Sequence, residues 1–170
     1  MPQMPQDHAN IRKKTMKQND IITPAGFVTV TLRDALTGKV KAVDQYKNMV
    51  VTTGKNSIAD ALRGTETNNK GIITYCAMGT GGTAPTEANT QLQTELGRKL
   101  VSVRSVSGNV ATFETFFTTS EVNGTLLEAG LFGDAASSTA NSGTMFCRVI
   151  ISRTKSSNDT LSLSWAITIG

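Results

Sequence analysis

A chain of 170 residues is long enough for one domain to bury a sizeable core, removing about 70% of the surface that its unfolded form would expose. Hydrophobic residues make up 38% and charged residues 18%, leaving Thr, Ser, Asn and Gly to dominate the rest, a mixture suited to β-surfaces and turns. The net charge of +4 sits in the front third, with nine Lys or Arg against four Asp in residues 1–55 and eight against nine acidic residues in 56–170; a near-neutral body lacks the clustered basic face of a nucleic-acid groove.

Residues 1–21 carry two prolines, three glutamines and a basic run, with almost no apolar periodicity. They are expected to form an extended arm, either a disordered terminus or one that orders against a neighbouring subunit, ahead of a domain over 22–170. No run approaches the roughly 18 apolar residues of a membrane helix, and the opening Met-Pro-Gln-Met-Pro-Gln lacks the apolar stretch of a secretory signal. Synthesis in the cytoplasm is the expectation.

From Gly26 the pattern becomes alternating. Val28, Val30 and Leu32 fall on one side and Thr29, Thr31 and Arg33 on the other, the mark of a half-buried strand. Asp34 to Lys39 supplies a hairpin turn before a second strand, where Lys39, Lys41 and Lys47 are read as edge protection against unwanted pairing. Thr52-Thr53-Gly54 leads into the one convincing helix, with Ile58, Ala61 and Leu62 on the face expected to plug the core and Gly64 placed to end it. Ile72 to Met78 reads as a buried strand, followed by Gly-rich residues 79–86 as an exposed loop and by 88–96 as either a helical turn or an irregular connector. Residues 98–106 and 109–118 make a second hairpin, and runs at 127–133, 144–152 and 160–170 complete about eight strands. The expected fold is mainly β: an antiparallel β-sandwich with one short helix and an extended N-terminal arm.

Motifs of chemistry fail on inspection. Gly-Lys-Asn-Ser at 54–57 has Met49 where a phosphate loop needs its first glycine and Asn56 where it needs Ser or Thr. The sole histidine, His8, lies in the arm, away from any framework that would hold it beside a nucleophile. Glu114, Glu121 and Glu128 are read as solvated strand or turn residues, since nothing in their spacing forces two together. Cys76 and Cys147 are too far apart for a chelating cluster and sit in apolar runs, so both are read as free core thiols. Trp165 belongs to the alternating series Leu161, Leu163, Trp165, Ile167, Ile169 and is expected in the core with Phe113 and Phe117, or with Phe116 on the opposite face. No catalytic, cofactor or metal residues are therefore assigned.

Taken in order, the segments at 48–62, 75–86 (Tyr-Cys-Ala-Met-Gly-Thr-Gly-Gly-Thr-Ala-Pro-Thr), 92–99, 126–133 (Leu-Leu-Glu-Ala-Gly-Leu-Phe-Gly), 144–150 and 160–168 (Thr-Leu-Ser-Leu-Ser-Trp-Ala-Ile-Thr) resemble a broad group of tailed-bacteriophage virion proteins. These are small β-sandwich structural proteins, often labelled tail or tail-fibre components, and the resemblance spans about residues 26–170. It implies a non-enzymatic virion protein of the tail, baseplate or fibre-attachment region, made in the host cytoplasm. Its partners would be further copies of itself, a trimer being the first guess from the group's usual setting, and other phage virion proteins. A capsid decoration protein is the alternative, and a host-glycan-binding adhesin a further one. The arm lies outside the resemblance, and its Arg12, Lys13, Lys14 and Lys17 are the candidate residues for docking onto an acidic neighbouring subunit.

Overall fold

The strictest alternation in the chain becomes a strand with one buried face. Leu161, Leu163, Trp165 and Ile167 are each no more than 1% exposed and lie on one face of the strand Asp159–Ile169. The computed structural model describes residues 23–62 and 71–170, and the arm expected over 1–21 and the helix terminator expected at Gly64 lie outside them. In chain order the strands are β1 (Pro24–Asp34), β2 (Val40–Val50), β3 (Ile73–Gly79), β4 (Glu95–Leu100), β5 (Val103–Ser107), β6 (Val110–Phe117), β7 (Gly124–Gly133), β8 (Thr144–Lys155) and β9 (Asp159–Ile169). Helix α1 (Thr52–Leu62) is the one helix among the described residues.

The strands form one antiparallel sheet in the order β4-β3-β7-β8-β2-β1-β9-β6-β5. Two bends let it curl. Strand β2 pairs with β1 from Val40 to Asn48 and then, through Met49 and Val50, with Arg148 and Cys147 of β8. The expected single strand over 98–106 is likewise two: β4 pairs with β3, the Val101 N–H donates to Thr74, the Ser102 N–H donates to Glu114, and β5 continues along β6. The two ends of the sheet are thus consecutive in sequence and meet at Val101 and Ser102. The mainly-β expectation stands, with nine strands where about eight were expected. The sheet is continuous and curled, with β2 carrying the hydrogen-bonded ladder from one half to the other.

One core lies between the halves. Val28 and Val30 of β1, Phe117 of β6 and the β9 series pack with Cys76 and Met78 of β3, Leu131 of β7 and Val149 and Ile151 of β8. Both cysteines are free and fully buried, and burial pushes each thiol up to about 12. A smaller cluster of Val51, Ala77, Leu92, Phe132 and Met145 forms on the outer face of the β3-β7-β8 half. Phe117 is fully buried and Phe113 packs against the core, whereas Phe116 is exposed on the other side of the strand.

The helix docks on a different face from the expected one. Leu62 is 84% exposed and Ala61 is exposed, while Gly54 and Ser57 are buried and Ile58 packs partly against the core. The reason is backbone proximity: a Cβ on Gly54 would stand 2.1 Å from the Phe146 carbonyl oxygen of β8, so only glycine lets the helix lie this close. Gly54→Ala should therefore lift the helix and lower stability by about 1–3 kcal/mol, the usual range for overpacking, read from the midpoint of urea unfolding; an unchanged midpoint would refute this contact.

Asp34 and Asp159 face each other across the β1–β9 ladder, an arrangement that would repel without Lys41. The Lys41 ammonium lies 3.0 Å from Asp34 and 2.7 Å from Asp159, so this lysine of the second strand is a shared counter-ion as well as an edge charge. The bond from Lys41, then those from the Ser156 side chain and backbone, hold the Asp159 carboxyl down at about 2; Asp34 is lowered chiefly by the Thr37 N–H and Lys41. A carboxyl lowered in the folded state stabilises above its unfolded value, about 4, and that contribution is lost as pH falls through the folded value. Urea midpoints measured from neutral pH down to about 2 should decline over the acid end of this window, and Asp159→Asn should decline less.

Candidate functional site

The four docking candidates read from the sequence, Arg12, Lys13, Lys14 and Lys17, lie outside the described residues. Within them, the most elaborate polar construction is built where the sequence pointed to a solvated acid and an exposed loop. Glu128 of β7 is fully buried, and Arg148 of β8 is 2% exposed. Both point away from the main core, since Ala129, Leu131, Cys147 and Val149, their neighbours in the alternation, point into it.

The Arg148 Nε donates to Glu128 Oε2 at 2.8 Å. The same oxygen accepts the Gln93 N–H at 2.9 Å, while Oε1 accepts the N–H groups of Gly81 at 3.0 Å and Thr94 at 2.7 Å. Four donors thus converge on one carboxylate, the condition under which a buried charge is tolerated. The Gly-Thr-Gly sequence makes this possible. Cβ atoms on Gly79 and Gly81 would stand 2.6 and 2.5 Å from Glu128 Oε1, so the loop closes over the acid only without side chains there. Gly79 and Gly81 are buried accordingly, while Thr80, Gly82, Thr83, Ala84 and Thr86 are exposed as expected of this loop.

Arg148 also reaches the rest of the connector. Its Nη1 donates to Asn89 Oδ1 at 3.2 Å, an oxygen that also accepts the Thr86 N–H at 2.9 Å. The irregular connector over 80–94 is consequently pinned to the sheet at both ends, and Leu92, 1% exposed, seals the smaller apolar cluster. Between this connector and Arg148 lies an open cleft of about 370 Å³, lined by Thr83, Ala84, Thr86, Asn89, Gln93 and Arg148 among others.

A second ion pair repeats the device on the neighbouring edge. Arg98 and Glu95 of β4 have side chains only 2% exposed and are 2.6 Å apart. The Arg98 guanidinium lies 4.4 Å from the Phe132 ring centroid and donates to the Ser142 carbonyl at 2.9 Å, while Glu95 accepts the Asn141 N–H at 2.9 Å. The turn between β7 and β8 is held down by these bonds.

Neither pair is arranged for catalysis. A general base needs a lone pair free to receive a proton from a substrate, and the oxygens of Glu128 are already occupied by donors. The Ser57 hydroxyl donates to Asp134 at 2.6 Å, but no histidine accompanies them among the described residues. No three His, Cys, Asp or Glu side chains gather as a metal site among the described residues, and no described helix is long and apolar enough to cross a membrane. The arrangement fixes a shaped, mostly neutral outer surface. Glu128 could have been suspected from the sequence, because it interrupts an apolar strand with Gly-Thr-Gly loops elsewhere in the chain; the partner Arg148 sits likewise inside an apolar run.

Glu128→Ala should strand a buried guanidinium and cost about 3–5 kcal/mol, whereas Glu128→Leu with Arg148→Met should recover much of that loss. In both variants the connector loses its anchor, so limited proteolysis should cut within residues 80–94, where the parent chain resists; equal resistance would remove the anchoring role. No family profile, curated protein or solved structure matches this chain.

Proposed function

We propose that this protein is a structural component of a tailed-bacteriophage virion, in the tail, baseplate or fibre-attachment region, working through self-assembly and docking to neighbouring virion subunits. The sequence resemblance over residues 26–170 motivates the location. The observation that carries the assembly part is the pair of sheet ends. Strands β4 and β5 are terminal in the strand order and expose Leu96, Leu100, Val103 and Val106 beside backbone groups without a strand partner among the described residues. All five residues of β5 are exposed. An edge of this kind is a template for pairing with another chain, which a solitary protein normally blunts and an assembling one uses.

The rest of the body suits a passive, rigid role: its buried acids hold loops in place, and its buried thiols are far from ionised at neutral pH. The basic arm then acts as a clip, with Arg12, Lys13, Lys14 and Lys17 seeking an acidic neighbour.

Deleting residues 1–20 is expected to abolish incorporation into particles while leaving the circular dichroism and thermal unfolding of the body unchanged; normal incorporation would remove the clip. Quantitative proteomics of purified particles should find a few to a few dozen copies. Hundreds would move the protein to the shell as a decoration protein, and none would overturn the virion reading.

A further inference from the structure

Lys155, at the end of β8, is the least conventional charge among the described residues. It is 1% exposed, and no carboxylate among the described residues forms an ion pair with it. Its Nζ is met instead by neutral oxygens: Asn123 Oδ1 at 2.7 Å, the Thr119 carbonyl at 3.4 Å and the Ser156 carbonyl at 3.5 Å. Burying an ammonium without a counter-ion is unfavourable, and the group responds by giving up its proton more readily. Burial accordingly lowers the Lys155 value, against the weaker raising influence of Asp159 and Glu121. A desolvated lysine in this condition is a nucleophile in waiting.

The acceptor is held in a fixed plane. Asn123 donates from Nδ2 to the Thr119 carbonyl at 2.8 Å and presents Oδ1 to Lys155, so the carboxamide cannot flip without losing both bonds. Asn123 immediately precedes β7, whose first residue, Gly124, is the ladder partner of Lys155. The register of the β7–β8 pair therefore brings amine and carboxamide together, at the open end of a hairpin whose turn is clamped by Arg98 at the other.

From this juxtaposition we propose that Lys155 and Asn123 form an intramolecular isopeptide bond. The Nζ ammonium first releases a proton to solvent, and the resulting neutral amine attacks Asn123 Cγ, forming a C–N bond and a tetrahedral centre. A proton leaves Nζ and reaches Nδ2 through solvent at the exposed side of Asn123, the Cγ–Nδ2 bond breaks, and ammonia departs. The products are a secondary amide and one ammonia, with no oxidant, reductant or cofactor needed. The cross-link would close the loop from residue 123 to residue 155 covalently and relieve the buried charge in one step. It does not depend on a virion role.

Intact-mass spectrometry of the purified full chain, before and after incubation at mildly alkaline pH, is the test. The expected result is a mass lower by one ammonia, tryptic cleavage after Lys155 blocked, and fragment spectra of a branched peptide joining Lys155 to Asn123. Asn123→Ala and Lys155→Met should both keep their full calculated mass. Attack by the Gly124 backbone nitrogen on Asn123 would also expel ammonia, so a loss that persists in Lys155→Met, or a product in which Asn123 has become Asp, overturns the proposal. An unshifted parent mass with normal cleavage at Lys155 overturns it too, and needs no variant to be read.

Discussion

A sheet with an apolar face must cover it, and this one covers its main apolar face by folding back on itself. Because β2 and the β4–β5 pair each change partner partway along, the two halves share a single apolar interior, in which Cys76 of one half approaches Trp165 and Thr115 of the other. Everything else is arranged around that closure. The helix must lie flat against β8 and needs Gly54; the facing acids Asp34 and Asp159 need Lys41; the end strands have no strand partner on their outer edges among the described residues. The constraint is geometric before it is chemical, because twist and bend decide which residues can meet.

The outer face of the β3-β7-β8 half presents the harder problem. An apolar residue at 128 could pack under the connector with no desolvation penalty, and exchange of a buried ion pair for apolar side chains is often neutral or stabilising. What an apolar pair cannot do is bind three backbone N–H groups of an irregular segment. Residues 80–94 contain no helix and no strand, so their amides have no ladder to join, and Glu128 supplies the acceptors that regular structure would have supplied. The charge buys a defined shape for a loop, with Arg148 present to neutralise it and to reach Asn89.

Legibility in the sequence followed the same division. Period-two alternation in 161–169 and 28–32 and the Asp34–Lys39 turn, whose Asp34 Oδ1 accepts the Leu36 and Thr37 N–H groups, were readable because each is a local pattern with a local cause. The break at Val101 and Ser102 was not, since both halves of 95–107 have strand composition and only the curl of the whole sheet decides where one partner is exchanged for another. The helix was readable but its face was not: small residues at 54 and 57 outrank Ile58, Ala61 and Leu62 once close backbone approach to Phe146 is at stake. Glu128 was misread because solvation is the ordinary fate of a glutamate, and its burial depends on two glycines nearly fifty positions earlier in the chain.

The buried polar groups divide by how completely they are satisfied, and reactivity follows that division. Glu128 and Glu95 each sit beside an arginine and receive backbone N–H groups as well, which leaves them little capacity to trade protons with a substrate. Cys76 and Cys147 are held as neutral thiols by burial, which takes them out of nucleophilic chemistry. Among the described residues, Lys155 is the charged side chain that combines full burial with neutral hydrogen-bond partners, and its closest contact is the carboxamide oxygen of Asn123. The Lys155 ammonium is set apart from the arginine-paired glutamates because, among the described residues, amide oxygens rather than a paired carboxylate surround it.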